Sequence, residues 1–131
     1  MTRHEFRYEP FRGSIFPIIP LQLRAPDGGW FATTALLDSG ASMSLFDGAV
    51  ARGLGIAIRR GRKIGPTGIG GQITAYVHRM ELKIRDEEFK GVIAFTERRR
   101  LPINLLGRTD IFDRFVVTFD EKRRLTILEG E

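Results

Sequence analysis

The stretch Ala35-Leu36-Leu37-Asp38-Ser39-Gly40-Ala41-Ser42 carries a single carboxylate out of an apolar strand into a tight turn. A glycine has no Cβ, so Gly40 lets a backbone or a ligand pass close to that carboxylate. Asp-Ser-Gly is also a common turn sequence, because Asp and Ser side chains bond their own backbone. Taken alone, the stretch is more typical of a turn than of an active site, and the rest of the chain must decide between the two.

The composition is that of one globular domain. The chain has 131 residues, of which 42% are hydrophobic and 28% are charged, and this length suffices for a core. No apolar run is long enough to span a bilayer, and the charged start, Met1–Arg7, lacks an apolar signal core. We therefore expect a single domain over residues 1–131 that is cytoplasmic and has no membrane partner.

Several kinds of catalytic chemistry are disfavoured by the residue types present. The chain has no Cys and only two His, His4 and His78, which removes thiol nucleophiles and thiolate metal sites. The two His are not at metal-ligand spacing, and no Ser lies in a Gly-x-Ser-x-Gly turn. We predict neither a metal site nor a cofactor.

The net charge is +5, and basic residues concentrate in two places, Arg59–Lys63 and Arg98–Arg100. Such clusters are found on polyanion-binding faces and also in solvated loops. We favour solvated loops, because no aromatic residues are interleaved with the clusters as a single-strand binder would need. We predict no nucleic-acid partner, and a basic nucleic-acid-binding β-barrel is kept as a distant alternative.

Short apolar strands separated by turns fill most of the chain, which predicts an all-β barrel or sandwich with little helix. Strand 73–85 changes the parity of its apolar residues, which predicts a bulge or a sharp bend near residues 77–79. A short helix is predicted after Asp47 and another at residues 108–114, and the predicted ends are an N-terminal arm at 1–13 and a C-terminal hairpin and tail at 115–131.

Three motifs in order resemble the retropepsin-like aspartic proteases. An apolar run enters Asp38-Ser39-Gly40-Ala41, a glycine-rich hairpin tip follows at Gly68-Ile69-Gly70-Gly71, and a later apolar strand ends in Leu105-Leu106-Gly107-Arg108 before the predicted helix. The order and spacing of all three are more specific than any one of them. The resemblance covers most of residues 15–128 and implies a closed all-β barrel with a flap hairpin and one short C-terminal helix.

The chemistry of the residues agrees with this resemblance. Peptide hydrolysis without a metal or a covalent intermediate needs a general base for water and a general acid for the amide. Two adjacent carboxylates supply both, because they share one proton and their pKa values separate. The chain holds a single Asp-Ser-Gly, so the second Asp38 would come from another copy in a twofold homodimer.

The resemblance assigns a role to each motif residue. Asp38 is the catalytic residue, Ser39, Gly40 and Arg108 support its loop, and an extended peptide substrate is bound by Ala41, Ser42, Gly68, Ile69, Gly70 and Gly71. Viral members often carry Asp where this chain has Ser42, so a carboxylate partner for Arg108 is missing there. Viral members also end in one short strand, whereas this chain continues into a hairpin. We expect its termini to form the dimer interface in a different weave.

The sequence therefore predicts a homodimeric aspartic endopeptidase. The alternative is a non-catalytic relative, a dimeric scaffold or peptide-binding module that keeps the barrel and the flap. The positions of the two Asp38 carboxylates distinguish these two, since only the enzyme needs both beside one water.

Overall fold

The computed structural model describes residues 1–67, 73–98 and 100–131. Twelve strands and one α-helix account for most of them. In chain order the elements are β1 (Thr2–Arg7), β2 (Glu9–Phe11), β3 (Ser14–Phe16), β4 (Ile18–Arg24), β5 (Trp30–Leu37), β6 (Ser44–Phe46), α1 (Gly48–Leu54), β7 (Arg62–Thr67), β8 (Ile73–Ile84), β9 (Glu87–Thr96), β10 (Leu105–Leu106), β11 (Val116–Asp120) and β12 (Leu125–Gly130).

The main sheet closes into a barrel. Its strand order is β4-β5-β10-β6-β9-β8-β7, and a further pairing of β4 with β8 joins the two sides. Strand β7 lies outside the closed ring, at the end of this order, where it pairs with β8. The predicted all-β closed barrel is confirmed.

The barrel encloses a main core of aliphatic and aromatic side chains, among which Ile19, Leu23, Phe46 and Phe95 are fully buried. Helix α1 covers part of this core with Ala51 and Leu54. The predicted helix after Asp47 is confirmed, since the Asp47 side chain accepts a hydrogen bond from the Ala49 N–H at the helix start.

A second, smaller apolar cluster lies on the other face of β8. Its buried members are Leu45, Ile73, Ala75 and Ala94, with Met43, Ile64, Val77 and Leu101 packed around them. Of the bulge or sharp bend predicted near residues 77–79, the bulge is wrong, because β8 and β9 keep one register from Ala75↔Thr96 to Ile84↔Glu87. The parity changes because β8 buries both of its faces at this end, one in each cluster. The irregularity of this region lies instead between Ile64 and Thr67 of β7.

The two ends of the chain pair with each other. Strand β1 runs antiparallel to β12, and β12 also pairs with β11, giving a separate three-stranded sheet of order β1-β12-β11. The predicted arm at residues 1–13 is therefore structured, and Phe6 and Tyr8 are buried. The predicted hairpin at 115–131 is present as β11 and β12.

The predicted C-terminal helix is only an irregular turn at Arg108–Phe112. Thr109 has an extended ψ of 127°, and Asp110 has a left-handed φ of 70°. Asp110 adopts this conformation while its Oδ2 accepts a hydrogen bond from the Val92 N–H of β9 at 2.8 Å. A tertiary hydrogen bond has thus replaced part of the helical pattern in this segment.

Candidate functional site

Asp38 lies at the end of β5, where the strand is held on both sides. The Leu37 N–H donates to the Pro17 carbonyl at 3.0 Å, and the Asp38 N–H donates to the Leu106 carbonyl at 2.9 Å. Strand β10 runs parallel to β5 with Leu106 opposite Leu37, so the bond to Asp38 continues this ladder beyond the strand end. The backbone from which the carboxylate projects is therefore fixed.

The Asp38 side chain shapes the turn that follows it. Its Oδ1 accepts a hydrogen bond from the Gly40 N–H at 2.9 Å, and its carbonyl accepts one from the Ala41 N–H at 3.1 Å. Asp38 is half-buried, while Ser39 and Gly40 are exposed. The turn interpretation is thus correct for the local geometry, and the same turn presents the carboxylate at the surface.

The rest of the loop is held by the turn that follows β10. The Arg108 N–H donates to the Ala41 carbonyl at 2.8 Å. The Thr109 N–H donates to the Ser42 carbonyl at 2.9 Å, and the Thr109 hydroxyl donates to the same oxygen at 2.8 Å. Backbone and hydroxyl groups therefore fix the segment that directly follows Asp-Ser-Gly.

Gly107 allows this close approach. A Cβ built on Gly107 would lie 2.4 Å from the Met43 carbonyl carbon and 2.5 Å from the Met43 oxygen, both backbone atoms. The Gly107 N–H also donates to the hydroxyl of buried Ser44 at 3.1 Å. The motif Leu105-Leu106-Gly107 therefore packs directly beside the Asp38 loop.

Arg108 supports the loop through its backbone and not through an ion pair. Its side chain is exposed, and no acidic group in the described ranges lies within salt-bridge distance of it. This agrees with Ser42 standing where viral relatives often have Asp. The two hydrogen bonds of Thr109 to the Ser42 carbonyl hold the loop at this position.

Asp47 and Asn104 form a second polar network that the sequence analysis missed. The Asn104 Oδ1 accepts from the Asp47 N–H at 2.9 Å, and its Nδ2 donates to the Thr34 carbonyl at 3.0 Å. The Asp47 Oδ1 accepts from the Leu101 N–H at 2.8 Å. The available signal was a lone polar residue, Asn104, inside an apolar run, because a half-buried amide needs partners.

The structure describes two of the predicted substrate-binding residues. Ala41 is half-buried and Ser42 is exposed beside the loop. Gly68, Ile69, Gly70 and Gly71 lie outside the described residues, although β7 and β8 pair as the two arms that lead toward them. The parts of the chain that are described contain no cluster of three or more His, Asp or Glu that could hold a metal. No helix in those parts is both long and apolar enough to cross a membrane.

Comparison with known proteins supplies the family. A family model described as aspartyl protease matches residues 28–109, which include Asp38 and Arg108. The chain belongs to this family of aspartyl proteases. A comparison with curated proteins found no match.

Two solved structures show the retropepsin-like fold of the chain. A retropepsin-like aspartic protease from Rickettsia conorii is 19% identical, with a TM-score of 0.67 over 97% of this chain and 91% of its own. EIAV protease, in complex with the inhibitor HBY-793, is 24% identical, with a TM-score of 0.54 over 71% of this chain and 82% of its own. At these identities the similarity bears on the fold.

Proposed function

We propose that this retropepsin-like chain is an aspartic endopeptidase that works as a homodimer, with one Asp38 from each subunit. The observation that carries the proposal is the Asp38 loop, in which a half-buried carboxylate projects from a backbone held by β10 and by the turn after it. A protein with one Asp-Ser-Gly can form a carboxylate pair only by bringing two copies together.

In the proposed reaction, the two Asp38 carboxylates share one proton and bind a water between them. The ionised carboxylate takes a proton from the water as it attacks the peptide carbonyl, and the protonated one hydrogen-bonds the carbonyl oxygen. A proton then passes to the amide nitrogen as the C–N bond breaks. The hydrogen bonds that hold each loop keep the carboxylates oriented through these steps.

The hydrogen bonds within the Asp38 loop bear on which of the predicted residues we place against the substrate. The carbonyls of Ala41 and Ser42 already accept from Arg108 and Thr109. We therefore propose that an extended peptide is contacted by the Gly40 carbonyl, by the Ala41 side chain, and by the N–H and hydroxyl of exposed Ser42. The Ser39 hydroxyl would bond across the dimer axis, and the glycine-rich residues 68–71 would close over the substrate.

The dimer interface that we propose is the free edge of β11. This strand is at one edge of the sheet β1-β12-β11, and its side chains Val116 and Phe119 are 67% and 39% exposed. An edge strand with exposed apolar side chains tends to pair with another strand. Antiparallel pairing of two β11 strands would give a continuous six-stranded sheet. This differs from the viral members, whose chains end in one short strand.

The decisive experiment is a peptide-library digest from acid to neutral pH with the wild type and Asp38→Asn. We expect cuts with the wild type and a loss of at least about 100-fold with the variant, because the pair loses its base. Cuts that persist in the variant would refute the mechanism. No cuts at any pH, from a protein that sediments as a dimer, would favour the non-catalytic scaffold or peptide-binding module.

A second experiment tests the need for two copies. Val116→Lys places a charge on the exposed edge of β11, and we expect it to give a folded monomer without activity. Sedimentation equilibrium measures the loss of the dimer, and the digest measures the loss of activity. Thr118→Lys places the same charge at a second exposed position of β11, and its effects are compared with those of Val116→Lys. An active monomer would overturn the shared site.

A further inference from the structure

A groove runs between the hairpin β2–β3 and the barrel, beside the loop that precedes β10. It has a volume of about 580 Å³, and its apolar lining includes Phe11 of the hairpin, Ile18 of β4 and Ile103 of the loop. The hairpin forms a two-stranded sheet of its own. It turns at Arg12 and Gly13, whose φ angles of 49° and 81° are both positive, as in the tight two-residue turns of hairpins. A closely turned hairpin therefore forms one wall of the groove.

The opposite wall of the groove is tied to β5 and to α1. The Leu36 N–H of β5 donates to the Asn104 carbonyl at 2.8 Å, and the Asn104 Nδ2 donates to the Thr34 carbonyl at 3.0 Å. At the start of α1, the Asp47 Oδ1 accepts from the Leu101 N–H at 2.8 Å. Both ends of the loop before β10 are therefore held, and the groove is formed without a ligand.

One face of β5 carries Asp38 toward the solvent. Along this strand the side chains of Ala35 and Leu37 are buried in the core, so those of Thr34 and Leu36 are on the outer face. Asp38 follows Leu37 and is half-buried on the same outer face. Thr34, Leu36 and Asp38 therefore form one row on the outside of the barrel.

The groove lies at the far end of this row. Ile18 and Pro20 of β4 are opposite Leu36 and Thr34 in the register, and Ile18, Pro20 and Thr34 line the groove. Each step of two residues along a strand covers about 7 Å, so Thr34 is roughly 13 Å from Asp38. The residue of the row between them is Leu36, which is half-buried and apolar. The groove is therefore within reach of an extended peptide held at Asp38.

The charge of the groove disfavours anions as its ligands. Its charged lining residues are Glu9 and Asp47, both acidic, and no Lys or Arg of the described chain lines it. Carboxylates repel the phosphates of nucleic acids and of anionic lipids. The apolar lining favours an apolar side chain, and the acidic edge favours one that belongs to a neutral or basic peptide.

We propose that this groove binds an apolar side chain of the polypeptide substrate, about four residues from the bond that is cut. An extended peptide advances about 3.3 Å per residue, so roughly 13 Å corresponds to four residues. The inference rests on the proposed function for the identity of the ligand as substrate. It adds a substrate class, polypeptides with an apolar residue at that distance from the cut bond, and it gives the hairpin β2–β3 a part in their recognition.

The test measures binding without cleavage, in the Asp38→Asn background. Two fluorescein-labelled peptides share an apolar central pair of residues. They differ at the fourth residue on each side of the bond within that pair, which is Leu in one peptide and Gln in the other. Fluorescence anisotropy gives their Kd values. Burial of a single Leu side chain predicts roughly tenfold tighter binding of the Leu peptide.

Two pairs of matched variants locate the preference for Leu. Thr34→Lys puts a charge into the groove from an exposed position, and we expect it to abolish the preference. Ala32→Lys adds the same charge at an exposed position of β5 outside the groove and should retain it. Phe11→Ala removes part of the hairpin wall and should also abolish the preference. Ile15→Ala shortens an exposed side chain of the same hairpin that does not line the groove, and should retain the preference.

Three results would overturn the inference. The first is equal Kd values for the Leu and Gln peptides, or binding of neither, and the second is an equal loss of the preference in a variant and its control. The third is a dimer that dissociates with Thr34→Lys and not with Ala32→Lys, which would make the groove an interface between copies.

The proposed function fails separately. If the wild type cuts both peptides with equal kcat/KM, the endopeptidase stands and the role of the groove falls. If the preference for Leu is seen in binding but nothing is cut at any pH, the groove stands as a peptide-binding site and the catalytic proposal falls.

Discussion

Gly107→Ala tests how tightly the Asp38 loop is held. The new Cβ would lie 2.4 Å and 2.5 Å from the carbonyl carbon and oxygen of Met43, so backbone must move. The φ of Gly107 is −100°, which alanine adopts freely, so contact and not dihedral strain causes the effect. Forcing extra volume into packed structure costs about 1–3 kcal/mol, and backbone contacts on this scale point to the upper half of that range.

The stability assay is thermal unfolding. For a domain of this size about 2–3 kcal/mol corresponds to a Tm lower by roughly 6–15 °C. Gly29→Ala is the matched control, because its Cβ would meet only the end of the Asp27 side chain, at 3.2 Å, and we expect a change within about 0.5 kcal/mol.

The activity assay distinguishes a local effect from a global one. Well below the Tm most of the Gly107→Ala protein remains folded, so any loss of kcat/KM there reports a displaced loop. We expect that loss, since Met43 continues directly from the segment after Asp38. A Tm within about 2 °C of the wild type would refute the contact argument, and a lowered Tm with unchanged kcat/KM would show that the Asp38 loop tolerates the shift.

Two further changes test single hydrogen bonds. Thr109→Val removes the hydroxyl that donates to the Ser42 carbonyl at 2.8 Å and should cost about 1 kcal/mol in urea unfolding, whereas Thr109→Ser should cost little; equal losses would exclude this bond as the cause. Burial and a hydrogen bond to Glu121 raise the pKa of Tyr8 above its usual value. As the pH rises, the Tyr8 hydroxyl therefore loses its proton in the unfolded chain before it does so in the folded protein. The stability advantage of the wild type over Tyr8→Phe, about 1 kcal/mol, should hold below about pH 10 and shrink as pH rises through the raised pKa. An advantage that does not change with alkaline pH would contradict this.

The sequence predicted best those strand and helix ends that are set by residues close by in the chain. The apolar run before Asp38 predicted a strand that ends at this residue, and the structure has that strand as β5, Trp30–Leu37. Asp47 predicted the start of α1, because a side-chain cap is a short-range feature, and in the structure the left-handed Gly55 ends the helix. The position of Asp38 after its strand followed in the same way.

The features that were missed depend on distant partners. Strand β1 has Phe6 as its one buried residue, so its sequence resembles a polar arm, and its extended conformation is paired along its length with β12 at the other end of the chain. The parity change in β8 required knowledge that a second apolar cluster covers its other face. The turn at Arg108–Phe112 depends on Asp110 reaching β9, which no helical period reveals.

The source of the hydrogen bonds around Asp38 bears on what the proposed dimerisation would contribute to the site. Gly40, Leu106, Arg108 and Thr109 hold the loop, and all belong to the same chain as the Asp38 that they position. In the proposed homodimer, the second subunit would therefore supply its carboxylate and would not be needed for the shape of the first loop. Binding two preorganised loops costs less ordering entropy than folding them at the interface. A monomeric variant such as Val116→Lys should therefore keep the hydrogen bonds of the Asp38 loop, and Gly107→Ala should destabilise it as much as it destabilises the wild type. The same monomer should have no peptidase activity, which separates the fold of the site from its chemistry.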